Sequence, residues 1–216
     1  MEISIKTSSL LKFIIGQINS FFPDGKFVQE HDLKKSFDHS TERLEFCFSK
    51  VNNKYFRDEN RVFFNHLNGD QYAIFLYYLS NTCFKNNVKD DICNKIFLLN
   101  RSLNGIDMFY EVDLPDVFLL VHPIGTILGR GEYSDYLVVY QKCGIGANHE
   151  IYPTLRKNVT LRPGESIKVN CKVGENCEIG AESLLMDKNL EDNTLYVGNP
   201  KKYSIYKREK HNPVWF

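Results

Sequence analysis

The chain has 216 residues, with 27 basic and 27 acidic side chains and 43% hydrophobic residues. This length can bury a substantial core as one large domain or two small ones. The balanced charge argues against nucleic acid or an anionic membrane as the main partner. Residues 1–6 do not resemble a signal peptide, and no apolar run approaches the roughly 18 residues of a membrane span. We therefore expect a cytoplasmic protein without a transmembrane segment.

The first half of the chain carries helical periodicity. Three stretches have apolar residues at helical spacing: residues 8–22, the low thirties to about Val51, and 90–104. Residues 70–84 are apolar nearly all round and predict a central helix, since the alternative of a buried strand is disfavoured by length. Together these stretches predict a helical N-terminal domain over residues 1–104.

After Gly105 the helical periodicity gives way to apolar residues spaced six apart. An interrupted form of this spacing comes first: Val112, Phe118, Ile124, Leu137 and Cys143. The spacing slips near residues 129–131, which predicts an extra turn. The polar stretch 144–152 predicts a loop extruded from the repeats.

The spacing then becomes regular, with six aliphatic residues in one row: Leu155, Leu161, Ile167, Val173, Ile179 and Leu185. A period of six fits neither an α-helix nor a two-sided strand. It is typical of a parallel β-helix, in which each side of a triangular coil points one aliphatic residue inward. Ordinary short sandwich strands are the alternative.

The repeats define the fold class as α+β. A left-handed parallel β-helix of about five coils is predicted over residues 105–200, after the helical domain and before a C-terminal tail over 201–216. Cys171 and Cys177 stand two places before inward positions, so we expect buried thiols in a reducing compartment. The six cysteines show no zinc or CxxC spacing.

One histidine of the β-helix half has a candidate partner. His122 follows an aliphatic strand and precedes Pro123, which predicts a coil corner. Asp107 precedes it in the sequence by close to one coil, so stacked coils would bring the two within about 5 Å. A carboxylate that fixes the tautomer of a histidine is what a general base needs. A purely structural pair is the alternative.

The segment from Gly105 to Pro200 resembles the catalytic half of serine acetyltransferases, in the hexapeptide-repeat acyltransferase superfamily. That family carries an aspartate and, at the same separation as Asp107 and His122 here, the catalytic histidine, then a glycine, a short aliphatic run and another glycine. This chain has Asp107 and then His122-Pro-Ile-Gly-Thr-Ile-Leu-Gly129. Three further features follow the pattern: a strand ending in Gln141, a Gly144-Ile-Gly146 turn, and a closing Gly198-Asn-Pro200.

The resemblance implies an acetyl-CoA-dependent O-acetyltransferase without a metal. His122 would be the general base and Asp107 its orienting partner, and backbone N–H groups near Gly146 and Ala147 would stabilise the oxyanion. The positions that match the family's acetyl-CoA contacts are Gly146, Ala147, Pro163, Gly164 and Ala181. Lys201 and Lys202 would meet the CoA phosphates, with plain solvated charge as the alternative. A homotrimer, or a dimer of trimers, is implied as the assembly.

The chain also departs from the family. Val121 replaces the aspartate before the catalytic histidine, and Ile151-Tyr152-Pro153 replaces Arg-His-Pro. Those family residues hold the carboxylate and ammonium of serine, and each missing charged hydrogen bond costs about 1.5–3 kcal/mol. His149 and Tyr152 are the candidate acceptor-binding residues here, although His149 could equally be a loop histidine without a role. The final Val-Trp-Phe lacks the family's terminal isoleucine, so we do not expect its partnership with cysteine synthase.

The sequence leaves the acceptor open. We expect a small-molecule or glycan hydroxyl, either a sugar of a surface polysaccharide or its precursor, or L-serine. The first alternative is N-acetylation of an amino sugar, for which no nucleotide signature is visible. The second is a non-catalytic β-helix scaffold, in which Asp107 and His122 would be dispensable.

Overall fold

The computed structural model of the protein describes residues 1–58, 61–146, 150–208 and 215–216. The chain forms two compact units. The helical unit contains residues 1–104, Phe109–Glu111 and Trp215. The solenoid unit contains Gly105–Met108, Val112–Val214 and Phe216. Phe109–Glu111 therefore belong with the helices, which the six-residue spacing of the surrounding segment did not indicate.

The helical unit consists of four helices and a small sheet: α1 (Thr7–Phe21), α2 (Glu30–Ser49), α3 (Gly69–Lys85), α4 (Asp90–Asn104), β1 (Glu2–Ile3), β2 (Arg57–Asp58) and β3 (Arg61–Phe64). The predicted central helix is confirmed, because every residue of α3 from Gln71 to Cys83 is buried. The Asn68 side chain begins α3 by accepting hydrogen bonds from the backbone N–H groups of Asp70 and Gln71. Within the described ranges, no helix is long and apolar enough to cross a membrane.

The solenoid unit is built from short strands: β4 (Phe118–Val121), β5 (Ile127–Leu128), β6 (Glu132–Tyr133), β7 (Leu137–Tyr140), β8 (Gly144–Gly146), β9 (Thr154–Leu155), β10 (Thr160–Leu161), β11 (Ser166–Lys168), β12 (Lys172–Val173), β13 (Glu178–Ile179), β14 (Leu184–Met186), β15 (Thr194–Asn199) and β16 (Lys202–Lys207). The first face of the prism is the sheet β4-β7-β10-β13-β15-β16. The second face is β5-β8-β11-β14, and the third is β6-β9-β12. All pairs are parallel except β15 with β16.

The row of six aliphatic residues lies inside the prism, as predicted. Leu155, Leu161, Ile167, Val173, Ile179 and Leu185 are each no more than 1% exposed. Consecutive members lie on consecutive faces, since β9, β10 and β11 carry Leu155, Leu161 and Ile167. Each face therefore contributes one aliphatic residue per coil to the core.

The corners of the prism are made by residues in the left-handed backbone conformation. One corner column holds Tyr136, Asn158, Asn176 and Asn193, with φ between 55° and 67°. The amide of Asn158 donates to Asn176 Oδ1 at 2.9 Å, and that of Asn176 donates to Asn193 Oδ1 at 3.1 Å. Asparagine tolerates the left-handed conformation better than most residues. The three asparagines therefore stabilise this corner through their backbone conformation and through the hydrogen bonds between their side chains.

Several expectations for the first coils are corrected by the strand register. Leu161 pairs with Val139, so the inward residue of β7 is Val139 and not Leu137. Leu137 and Cys143 are buried two places before inward residues, at the corners. Ile124, predicted in the inward row, is 70% exposed, because the chain turns a corner there. Because the early repeats vary in length, the predicted inward residues Leu137 and Cys143 lie two places before the observed inward residues.

Three further differences concern the extent of the solenoid. It has about four turns, where about five were predicted. The predicted loop over 144–152 is shorter, because Gly144–Gly146 form β8. Residues 202–207, predicted as tail, form β16, which pairs antiparallel with β15 along its whole length.

One corner column inside the prism carries a carboxyl group. Thr126, Cys143, Glu165 and Ser183 each precede an inward residue by two places and are at most 2% exposed. Burial raises the pKa of Glu165 well above its ordinary value, and the neighbouring Cys143 thiol opposes this only weakly. Neither carboxyl oxygen of Glu165 makes an aligned hydrogen bond to a described residue. Burial at this corner therefore favours the protonated form of the Glu165 carboxyl.

We expect the inward row to carry much of the solenoid's stability. Ile167→Ala should lower the free energy of unfolding by about 2–5 kcal/mol, because it removes buried methyl groups and leaves a cavity. Ile124→Ala is the matched control and should change it by less than about 0.5 kcal/mol, because Ile124 is exposed. Urea unfolding measures both. Equal effects would contradict the inward assignment.

We expect the Glu165 carboxyl to make stability depend on pH. Below the unfolded-state pKa of about 4.3 both states hold the proton. Above it only the unfolded chain releases the proton, so the free energy of unfolding falls by up to about 1.4 kcal/mol per pH unit until the folded-state pKa is passed. The stability of Glu165→Gln relative to wild type should therefore increase between pH 5 and 8. The exposed Glu182→Gln is the control, and a pH-independent difference for Glu165→Gln would contradict the buried acid.

Candidate active site

His122 stands at the corner between the first and second faces. It directly follows β4, is exposed, and has a φ of 50°. Its carbonyl oxygen accepts a hydrogen bond from the Ile124 N–H at 2.8 Å, which closes a tight turn. Left-handed residues recur at the other corners, so this conformation reflects the solenoid and is not by itself a sign of function. As a result of this conformation, His122 lies on a turn that faces solvent.

Asp107 lies in the preceding coil, but not directly over His122. It pairs with Ile127, five places beyond that histidine. Its N–H donates to the Thr126 carbonyl, and its own carbonyl accepts from the Leu128 N–H, both at 2.9 Å. The backbones of Asp107 and His122 are thus not stacked directly, because this coil is longer than the separation between the two residues. They flank the same short turn, and their pairing as acid and base stays a prediction.

Gln141 lies in the next coil, directly beside His122. Tyr140 pairs with Val121, and the Lys142 N–H donates to the Ile124 carbonyl, so Gln141 lies between these two contacts. Its amide Oε1 is buried and has no hydrogen-bond partner among the described residues. The sequence marked Gln141 only as the end of a strand. Its position next to His122 follows from the pairing of two coils of unequal length.

The corner that begins with His122 continues down the stack. Gln141, Pro163 and Ala181 form one column, because the Gly164 N–H donates to the Gln141 carbonyl and the Glu182 N–H donates to the Pro163 carbonyl. We call His122, Gln141, Pro163 and Ala181 the histidine corner. The structure thus aligns two of the predicted acetyl-CoA contacts, Pro163 and Ala181, with the candidate base.

The predicted glycine contacts differ in what surrounds them. Gly164 adjoins the histidine corner with a φ of +76°, and the Glu182 carboxylate covers the place where a Cβ would stand. Gly146 lies at the opposite end of the second face, where it pairs with Lys168. A Cβ built on Gly146 would meet no described atom within 4 Å. Gly146 therefore leaves open space for a ligand, whereas Gly164 is covered by a movable side chain.

The remaining predicted site residues are dispersed. Ala147 and His149 lie outside the described residues. Tyr152 is 39% exposed and lies two residues before β9 of the third face. Lys201 and Lys202 are exposed at the turn between β15 and β16, where both backbone N–H groups donate to Asn199 Oδ1. Within the described ranges, no group of three or more His, Cys, Asp or Glu side chains is arranged to hold a metal ion.

Comparison with known proteins agrees with this architecture. The serine acetyltransferase of Synechococcus elongatus is 28% identical over 107 residues, which cover 47% of this chain and 43% of that protein. The serine acetyltransferase of Buchnera aphidicola is 27% identical over 114 residues, or 50% of this chain and 42% of that protein. The chain is serine acetyltransferase-like. It spans less than half the length of these two curated relatives, and no family model matches it.

Solved serine acetyltransferases share the fold over nearly the whole chain. The Neisseria gonorrhoeae enzyme matches with a TM-score of 0.72 and 15% identity, covering 97% of this chain and 82% of that one. A serine acetyltransferase in complex with CoA matches with a TM-score of 0.70 and 15% identity, covering 93% of this chain and 84% of that one. The serine acetyltransferase-like fold therefore includes both the helices and the solenoid.

Proposed function

We propose that the protein is an acetyl-CoA-dependent O-acetyltransferase in which His122 is the general base. The observation that carries this proposal is the histidine corner. It places an exposed imidazole in one column with Pro163 and Ala181, the residues that match the family's acetyl-CoA contacts. The solved structure of a serine acetyltransferase in complex with CoA, on the same fold, supports acetyl-CoA as the co-substrate.

The proposed reaction is a direct transfer. His122 removes the proton from the acceptor hydroxyl as the hydroxyl oxygen attacks the thioester carbonyl carbon of acetyl-CoA. The tetrahedral intermediate then collapses and the carbon–sulfur bond breaks. The departing CoA sulfur takes from the imidazolium the proton that came from the acceptor hydroxyl. Asp107 would orient the ring and stabilise its positive form. Both substrates must be bound together, because the base acts only within hydrogen-bond reach.

The pantetheine arm of acetyl-CoA would lie along the histidine corner, with its thioester near His122. Gln141 would offer its Oε1, which has no hydrogen-bond partner among the described residues, to an N–H of this arm, and the Glu182 side chain would have to move away from Gly164. The backbone near Gly146 and Ala147 would supply oxyanion donors. In this arrangement Lys201 and Lys202, at the C-terminal end of the solenoid, would meet the phosphates.

A shared site between neighbouring copies would reconcile the two groups of predicted contacts. Pro163 and Ala181 lie at one edge of the second face and Gly146 at the other. The short strand β11 that separates these edges spans about 10 Å. A single acetyl-CoA molecule would have to bend around the second face to contact both edges of one prism. Two adjacent prisms can instead each present one edge to the same acetyl-CoA molecule. We therefore propose a homotrimer, or a dimer of trimers.

The acceptor we propose is a hydroxyl of a carbohydrate or of L-serine. Val121 and Ile151 stand where the resemblance places an acidic and a basic serine contact, which favours a sugar. We also propose a reducing, cytoplasmic location, because all six cysteines are buried and free.

We expect His122→Ala to lower turnover at least about 100-fold, the usual scale for a lost general base. The measurement is thiol release from acetyl-CoA with serine, sugars and amino sugars as acceptors, with circular dichroism to verify the fold. His31→Ala is the matched control, because His31 is an exposed histidine of α2, and it should retain turnover.

Near-normal turnover in His122→Ala would refute the assignment of the base. Turnover of amino sugars alone would favour the N-acetyltransferase. A wild-type protein that neither binds CoA nor releases thiol would favour the scaffold.

We expect sedimentation analysis to find a particle of three or six chains of 25.2 kDa each. The reason is that a single prism presents the two groups of cofactor contacts on separate edges. A monomer that binds CoA with full affinity would contradict the shared site.

A further inference from the structure

A cluster of charged side chains lies on the outer surface of the first face, in the column next to the histidine corner. Leu161 pairs with Val139 and Ile179, so Arg162 lies beside Tyr140. Tyr140 in turn pairs with Val121, the residue before His122. Because neighbouring coils are about 4.8 Å apart, the Arg162 backbone lies roughly 10 Å along the stack from Val121.

The Arg162 side chain is held in a defined orientation. Leu161 points into the core, so Arg162 points outward. Its Nε donates to Glu178 Oε1 at 2.6 Å, and its Nη1 lies 3.4 Å from the Tyr140 hydroxyl. The guanidinium carbon is 5.3 Å from the centre of the Tyr140 ring. The guanidinium is therefore held between Glu178 on the coil below and Tyr140 on the coil above.

Among the described residues, this cluster has two cations and one anion. Arg208 Nη1 lies 3.1 Å from Glu178 Oε2 but is not aligned for a hydrogen bond. Two guanidinium groups thus share one carboxylate. The Arg162 side chain remains 36% exposed, and a guanidinium has five donors, of which Glu178 and Tyr140 engage two. Donors are left for a planar anionic group such as a carboxylate or phosphate.

We propose that Arg162, positioned by Glu178 and Tyr140, binds an anionic group of the acceptor, and that the acceptor is an acidic hydroxyl compound larger than serine. This inference rests on the proposed function, because it assumes that the hydroxyl reacts at His122. The hydroxyl and carboxylate of serine are only about 3–4 Å apart by covalent geometry, much less than the roughly 10 Å between the backbones of Val121 and Arg162. A sugar ring that carries a carboxylate or phosphate spans roughly 5–7 Å between these groups.

The test measures binding of two sugars that differ in charge. Glucuronate and glucose have the same ring, and calorimetry with and without saturating CoA gives both affinities. We expect the full-length protein to bind glucuronate at least about tenfold more tightly than glucose. Arg162→Gln should abolish this preference, and Arg162→Lys should restore it only in part, because lysine retains the charge but not the planar donors.

Arg156→Gln is the matched control. Arg156 also follows an inward leucine, Leu155, but on the third face, and it is exposed there. It should leave the preference for glucuronate unchanged. Circular dichroism of each variant shows whether the solenoid remains folded, and Glu178 keeps Arg208 as an ionic partner when Arg162 is replaced.

Three outcomes would overturn the proposal: no preference of the wild-type protein for glucuronate, a preference that survives Arg162→Gln, or a loss of CoA affinity in Arg162→Gln at unchanged glucuronate affinity. The last would assign the anionic group to the cofactor. Failure of the proposed function gives a different result, because the wild-type protein would then neither bind CoA nor release thiol. The preference for glucuronate is measured without turnover, so the two failures can be distinguished.

Discussion

Stacking of successive coils is the constraint on which the solenoid depends. Each coil must turn its corners and present one side chain per face to a narrow core. Leu161 and Ile179 meet one above the other for this reason, and both are fully buried. Close packing leaves no freedom to shift one coil without unpacking its neighbours. The backbone positions of outward residues are therefore set as firmly as those of the core, although only the core shows a simple pattern.

Departures from regular coil length decide where the candidate chemistry lies. In the regular part, Thr160 pairs with Glu178, an interval of three hexads. Near the site the intervals vary: Asp107 pairs with Ile127 and Val138 with Thr160, which are longer intervals, whereas Ile127 pairs with Gly144, which is a shorter one. The additional residues form the turn at His122 and the segment that contains positions 147–149. The regular coils thus serve as a rigid base, and the irregular ones carry the residues that would contact substrates.

Periodicity explains how much could be predicted from the sequence. The helices and the inward row are local patterns, so Leu155 to Leu185 and the buried α3 were identified without knowledge of the fold. The relation of Asp107 to His122 depends on the length of one coil, which local spacing does not fix. Gln141 and Arg162 were missed for the same reason. Their neighbours lie one coil away, and coils of unequal length place different partners side by side.

The segment from Leu161 to Ile167 links the fold to the proposed acceptor. Glu165 puts a carboxyl group with a raised pKa into a corner where the neighbouring coils carry Cys143 and Ser183, and Arg162 puts a cation on the outer surface of the same coil. Glu165 carries a cost in free energy, because a buried carboxyl group loses its hydration without gaining an aligned hydrogen bond to a described residue. Stability alone would favour a small or apolar residue at that position, and because Glu165 faces only the core, ligand binding gives no account of it. Arg162 is partly exposed, so its charge costs the fold little. It faces solvent beside the histidine corner, where the proposed recognition of an anion would give the charge a function.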